Sequence, residues 1–290
     1  MHRTLRRSGE KIVRANGVDL CLETFGDPAD AAILLIGGAA ASMDWWYDEL
    51  CERLAGGGRF VVRYDLRDTG RSVTYAPGKP PYGGPDLIAD AVGLLDALGL
   101  ARAHVVGISM GGGIAQRLAF DHADRVASLT LMSTSGGGDD LPPMSEELAA
   151  AFESPPASPD WADRSAVVDW VVESNRPFIG SVTLDEGELR ALVERIYDRT
   201  NDMASTQTNH WLLESDPSTP LRLDEVTAPA LVFHGTEDPL LPFPHGEALA
   251  REIPDARLVP LEGVGHEMPP PATWGLVVAE LLGHTESRGS

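Results

Sequence analysis

The chain has 290 residues, a formal net charge of −21 and 43 % apolar residues. That apolar share can build a sizeable core and excludes a wholly disordered chain, while the acidic balance argues against nucleic acid or anionic membranes as partners. The length fits one large domain carrying an insertion.

Met1–Glu10 starts basic but leads into no apolar run, so it does not read as a signal peptide. No stretch approaches the ~18 uninterrupted apolar residues of a spanning helix, so a soluble cytoplasmic chain is expected. Lysine stands at Lys11 and Lys79 alone, amid plentiful Arg, Ala and Gly, the usage of a GC-rich bacterial genome. Lys11–Arg14 and Val18–Phe25 read as short strands around Asn16-Gly17, a hairpin-turn dipeptide. Ala31–Ile36 is a continuous apolar run ending at Gly37-Gly38, the pattern of a strand buried on both faces. Ser42–Leu54 follows as a helix with Ser42 at its N-cap. Cys21 and Cys51 have no close metal or redox spacing and lie among apolar residues, which predicts buried thiols.

The rhythm continues with a strand at Phe60–Tyr64, a polar loop at Asp65–Ser72 and a helix at Asp86–Leu98 stopped by Gly99. A strand at His104–Ile108, a helix at Met110–His122 and a strand at Val126–Met132 come next. This alternation predicts the α/β class, with a mostly parallel sheet of eight strands flanked by helices. Residues 136–222 break the pattern: they open on Gly136-Gly137-Gly138 and Pro142-Pro143, then show helical segments at 144–153, 161–175, 185–199 and 203–213. A helical cap at 136–222 inserted into a core domain of 1–135 and 223–290 is therefore expected. Strands resume at Ala230–Phe233 and Arg257–Pro260, and a last helix spans 272–283.

Gly107-Ile108-Ser109-Met110-Gly111 matches the G-x-S-x-G nucleophile elbow, with a strand before it and a helix after it. The serine of such an elbow sits on a sharp, strained turn, where a Cβ two residues to either side would collide with its surroundings. A serine hydroxyl is a poor nucleophile at neutral pH and needs a base, which in turn needs an orienting acid. On this kind of sheet the chain order is serine, acid, histidine. His266, in the loop Gly263-Val264-Gly265-His266-Glu267 after a strand, is the expected base; His245, in a Pro-rich turn, and His284, at the end of the last helix, are the late alternatives. Asp238, after the strand Ala230–Phe233, is the expected acid, with Glu237 facing outward and Asp139 and Asp140 as alternatives from the preceding strand end. An oxyanion hole needs two backbone N–H donors: Met110 is one, and Gly38 or Ala39 in the loop Gly37–Ala41 is the other.

The loop Asp65–Ser72 alternates charges near the same sheet edge and reads as a structural ion-pair network. Among the aromatic residues, Trp45, Trp46 and Trp211 are candidate lining for a substrate pocket; in Trp45-Trp46-Tyr47 one ring is expected in the core and another in the pocket, and for Trp161, Trp170, Phe178 and Trp211 substrate contact and helix packing explain the residues equally well. The sequence carries no H-E-x-x-H, no paired C-x-x-C and no P-loop, so neither metal nor nucleotide cofactor is expected.

These motifs resemble the α/β-hydrolase superfamily over residues 10–284. Phe25–Asp30, the run RYDLRDTGRS at Arg63–Ser72, AHVVGISMGG at Ala103–Gly112 and Gly263–Met268 are similar to the aclacinomycin methylesterase group of anthracycline biosynthesis. The resemblance implies a serine esterase acting on small or polyketide-derived esters, with a methyl ester of a polyketide-type metabolite as substrate. A small-molecule ester is then the partner, and a monomer or homodimer the form. The same triad could serve C–C bond, lactone or amide cleavage or peroxide-assisted chemistry. A non-catalytic ligand sensor on a hydrolase scaffold is the reading from another class.

Overall fold

A computed structural model describes residues 6–138, 140–213 and 220–286. Eight strands form one sheet: β1 (Lys11–Ala15), β2 (Val18–Phe25), β3 (Ala31–Ile36), β4 (Arg59–Tyr64), β5 (Ala103–Ile108), β6 (Val126–Met132), β7 (Ala230–Gly235) and β8 (Arg257–Leu261), in the order β1-β2-β4-β3-β5-β6-β7-β8. β2 is antiparallel to both its neighbours, and every pair from β4 to β8 is parallel. The β1–β2 hairpin turns at Asn16 and Gly17, both with positive φ (45° and 74°), as a type I′ turn requires.

Continuous apolar strands follow from burial on both faces. In β3, Leu34 and Ile36 enter one core with residues of α2 (Gly84–Ala97) and α3 (Met110–Asp121). Ile33 and Leu35 enter the other with α1 (Asp48–Gly56) and α9 (Trp274–His284). Strand side chains alternate in direction, so neither face tolerates a polar run. Cys21 and Cys51 are both buried and unbridged, and burial pushes each thiol up to about 12.

Between β6 and β7 the chain makes an excursion through α4 (Glu146–Glu153), α5 (Arg164–Asn175), α6 (Glu186–Arg199) and α7 (Met203–Thr208). α5 and α6 pack on each other through Val167, Val168, Val171, Val172, Leu192, Val193 and Ile196, a core of their own. Arg199, at the end of α6, fastens this excursion to the sheet. It donates to Glu10 at 2.6 Å, to Asp44 at 2.8 Å and to both oxygens of fully buried Asp65. Burial pushes the Asp65 carboxyl above the usual range, against the pull of Arg199.

Two local expectations are corrected. The helix expected over Ser42–Leu54 is split into a 3-10 turn, Met43–Trp45, and α1. Ser42 caps nothing; its hydroxyl donates to Asp44 at 2.9 Å. The break falls at Trp46, whose carbonyl turns out of the helical ladder to accept from buried Arg63. A further helix, α8 (Pro244–Glu252), occupies the stretch read as a Pro-rich turn, with Pro244 at its first position. Among the described residues, no helix is long and apolar enough to cross a membrane.

Candidate active site

Ser109 lies between the end of β5 and the start of α3, with φ 52° and ψ −119°. A non-glycine residue held there costs on the order of 1–3 kcal/mol, so its surroundings must impose the conformation. They do so through glycine. A Cβ on Gly107 would stand 2.1 Å from the Gly111 carbonyl oxygen, and one on Gly111 would stand 2.4 Å from that of Gly37. The turn therefore closes tightly on both sides and lifts the Ser109 hydroxyl above the sheet edge.

The loops after β7 and β8 reach the same edge. The Ser109 hydroxyl donates to Nε2 of His266 at 3.0 Å, and His266 Nδ1–H donates to Oδ2 of Asp238 at 2.9 Å. Asp238 is buried, and its Oδ1 accepts from the backbone N–H groups of Leu240 (3.0 Å) and Leu241 (2.8 Å). One carboxylate oxygen is thus held by the loop while the other faces the imidazole, which fixes Nε2 as the lone-pair nitrogen aimed at Ser109. Glu237 is exposed and accepts from the N–H and hydroxyl of Ser181. Asp140 is exposed, and Asp139 lies outside the described residues. His245 is engaged by Ser135 (2.8 Å) and the Pro142 carbonyl (2.9 Å), and His284 meets the Leu129 carbonyl at 3.1 Å.

Gly38 is placed against the serine: a Cβ added to it would lie 3.4 Å from Ser109 Cβ and 4.0 Å from Oγ. Met110 is the first residue of α3, where an N–H has no partner within the helix. Among the described residues, the N–H groups of Gly38 and Ala39 likewise meet no protein acceptor. Among the described residues, the N–H groups of Gly38, Ala39 and Met110 are therefore without a backbone acceptor, and Gly38 stands against the serine.

The helical excursion touches the site closely, which the sequence did not announce. The His266 N–H donates to the Phe178 carbonyl at 2.7 Å, and Val182 N–H donates to the Gly263 carbonyl at 2.8 Å. Glu267 accepts from Gly180 N–H at 3.0 Å and from the Thr183 hydroxyl, and burial raises its carboxyl above the usual range. A Cβ on Gly265 would stand 2.2 Å from the Phe178 carbonyl, so the two segments are in backbone contact. An aromatic row leads away from His266: Phe178 lies 6.3 Å from its ring, Phe152 5.9 Å from Phe178, and Trp211 6.5 Å from Phe152. Phe152 and Trp211 are exposed apolar rings (45 % and 55 %). Trp211 therefore sits in a row that reaches His266, whereas Trp46 is a correction: its ring is buried in the core with α1 and α9. Trp45 packs half-buried where that core meets the α5–α6 core.

The loop Asp65–Ser72 is the structural hub its charges suggest. Asp65 accepts from the N–H groups of Met43 (2.8 Å) and Arg71 (2.9 Å). Asp68 accepts from Tyr82 OH (2.7 Å) and Asn209 (2.9 Å), and Arg67 forks onto Asp90 with two bonds of 2.7 Å.

A sheet with one antiparallel strand near its edge, a strained serine after β5, an acid after β7 and a histidine after β8 together define a hydrolase architecture. A profile of the alpha/beta hydrolase fold family matches residues 31–270, and the chain belongs to that family. Within it, the chain is similar to rhodomycin D methylesterase DauP of Streptomyces sp. (strain C5), with 35 % identity over 279 residues, covering 89 % of this chain and 92 % of the relative. Rhodomycin D methylesterase DnrP of Streptomyces peucetius is 34 % identical over 278 residues with the same coverage, 89 % and 92 %. Among solved structures, the enol-lactonase from Burkholderia xenovorans LB400 superposes with a TM-score of 0.72 at 25 % identity, covering 94 % of this chain and 99 % of that one.

Proposed function

We propose that the chain is a serine esterase that cleaves a carboxylic ester through an acyl-enzyme, using Ser109, His266 and Asp238 and no cofactor. The observation that carries this reading is the unbroken relay from Ser109 Oγ through His266 to Asp238, with links of 3.0 and 2.9 Å. Ser109 Oγ attacks the ester carbonyl carbon while His266 Nε2 takes its proton. Asp238 holds the imidazole orientation and stabilises the imidazolium. Met110 N–H and a Gly38 or Ala39 N–H receive the negative charge that develops on the carbonyl oxygen. The tetrahedral species collapses, and His266 gives its proton to the departing alcohol. Water then enters, loses a proton to His266 and attacks the acyl carbon; the bond to Ser109 Oγ breaks as His266 returns that proton to it, and the carboxylic acid departs.

Residues 136–222 act as a cap over this centre, on a core of 1–135 and 223–290. The row Trp211–Phe152–Phe178 offers ring faces and edges to a planar aromatic ester, a class for which such rings have specific affinity. The names of the rhodomycin D methylesterases point the same way, toward the methyl ester of a polyketide-type metabolite. The experiment is turnover of p-nitrophenyl acetate and of a panel of aromatic methyl esters, with methanol release as the readout. Ser109→Ala is expected to abolish both, and a fluorophosphonate should label the wild-type chain once per site. Full activity of Ser109→Ala would overturn the reading. Turnover of a lactone or a C–C bond in preference to every ester would keep the triad and replace the substrate.

A further inference from the structure

His210 is a buried histidine outside the proton relay. It belongs to the 3-10 turn Asn209–Leu212 that follows α7, and it is 5 % exposed. Two backbone groups from two different loops meet its ring. Ala40 N–H donates to Nδ1 at 3.0 Å, and Nε2 stands 2.8 Å from the Arg67 carbonyl oxygen. A carbonyl oxygen accepts, so Nε2 carries the proton and Nδ1 is a lone pair. The partners thus select the neutral ring and its tautomer, and burial pushes the imidazole below its usual range.

We infer that His210 is a positioning residue that braces the oxyanion loop 37–41 in the shape that aims its backbone N–H groups at the carbonyl oxygen of the ester. This inference rests on the serine-esterase reading. Its first support is that the loop does not hold that shape through its own bonds. Ala40 has φ 57°, a left-handed conformation that an alanine rarely adopts unless its surroundings impose it. The loop's internal backbone bond, Ala41 N–H to the Gly38 carbonyl, is long at 3.3 Å. The Ala40 N–H lies in the stretch immediately after the two candidate donors, Gly38 and Ala39, and its acceptor sets the tilt of the 39–40 peptide.

The other end of the brace is rigid. Arg67 is pinned by its forked pair with Asp90. The turn that carries His210 and the helix α7 before it are tied to the same loop by Asn209 onto Asp68 (2.9 Å) and by the Thr206 hydroxyl onto the Asp68 carbonyl (2.6 Å). The helical excursion therefore supplies a strut between a fixed loop and the loop that receives the oxyanion.

Two near-isosteric substitutions separate the strut's two ends. An asparagine amide overlays the Nδ1 side of histidine and can still accept from Ala40 N–H. A glutamine amide overlays the Nε2 side, keeps the bond to the Arg67 carbonyl and leaves Ala40 N–H without an acceptor. His210→Gln is expected to lower kcat for p-nitrophenyl acetate about 10- to 100-fold, approaching the roughly 10²–10³ lost when a whole oxyanion donor is removed. KM should stay within about twofold, because the effect falls on charge that forms in the transition state. His210→Asn should be roughly tenfold faster than His210→Gln at similar melting temperature, and a boronic-acid transition-state mimic should lose affinity in step with kcat. Equal kcat for the two variants, or wild-type kcat in His210→Gln, would overturn the brace. Should either variant fail to fold, nitrogen NMR of the wild-type imidazole decides: an Nε2–H tautomer coupled to the Ala40 amide supports the brace, and an Nδ1–H tautomer refutes it. Ser109→Ala run alongside keeps the two readings apart, since its residual turnover bears on the esterase reading and the asparagine–glutamine difference on the brace.

Discussion

Asp238→Asn tests the relay at the point where geometry and tautomer meet. In the wild type, Oδ1 of Asp238 accepts from Leu240 and Leu241, while Oδ2 accepts from His266 Nδ1. An asparagine can keep its carbonyl oxygen on the two backbone N–H groups, so the loop should survive. Its NH₂ group must then face His266 Nδ1, and a donor facing a donor is resolved by moving the imidazole proton to Nε2. That proton points at Ser109 Oγ, now 3.0 Å from a nitrogen that can no longer accept. The expected loss in kcat is about 10⁴-fold, the size seen when the corresponding acid of a serine protease is amidated, or about 5 kcal/mol of transition-state stabilisation. The melting temperature should hardly move. Asp238→Ala, by contrast, strands two half-buried N–H donors, each at up to about 1–3 kcal/mol, and should destabilise the fold as well. The assay is steady-state hydrolysis of p-nitrophenyl acetate beside the rate of fluorophosphonate labelling, with a thermal melt for each variant. If Asp238→Asn kept kcat within tenfold of the wild type, the tautomer argument would fail.

Glycine substitutions should divide by what their Cβ meets. Gly111→Ala drives a methyl group to 2.4 Å from a backbone oxygen, and overpacking of this kind costs roughly 1–3 kcal/mol or more, so the melting temperature and activity should fall together. Gly38→Ala meets ordinary contact distances; its melting temperature should be preserved while kcat/KM drops about tenfold or more, because the methyl group occupies space beside Ser109 that a bound carbonyl needs. A thermal melt and a kcat/KM measurement on both variants check this, and equal destabilisation would contradict it. The pH dependence of stability has a definite sign. Burial holds His104, His210 and His234 below the usual histidine value, His104 at about 4. Below pH ~6.5 the unfolded chain takes up protons that the native chain refuses, so stability falls as the pH drops, down to about 4 for His104. A melting temperature that stays flat between about pH 7.5 and 4.5 would count against the neutral assignment of these rings.

The sheet was legible because its central strands are buried on both faces, and a run such as Ala31–Ile36 permits little else. The relay residues were legible because each follows a strand and their chain order is constrained. Features set by distant partners were not. Nothing near Trp46 predicts that Arg63 will claim its carbonyl and break the helix there. α8 was masked by Pro242, Pro244 and Gly246, although Pro244 at a first helical position is itself a start signal. His210 looks like any histidine beside a tryptophan, since both of its partners are backbone groups more than a hundred positions away. The hold of Phe178–Thr183 on the His266 loop runs partly through main-chain bonds, which leave little trace in side-chain pattern, and partly through the Glu267 carboxylate.

Arg199 has a consequence for anyone who would exchange or delete the helical excursion. Its guanidinium faces fully buried Asp65 and, together with the more distant Arg195 of the same helix (3.5 Å), nearly buried Asp44, and it arrives on the last residue of α6. Splicing β6 directly to β7 would leave those carboxylates in the interior with that charge removed, a loss of about 3–5 kcal/mol for a buried pair. That is a large part of the whole stability of an ordinary domain. A chimaera that borrows a relative's excursion must therefore bring an arginine to the same spot, or neutralise Asp44 and Asp65 in the recipient. Breakpoints chosen for this chain should respect that electrostatic bond as strictly as the loops that carry Ser109, Asp238 and His266.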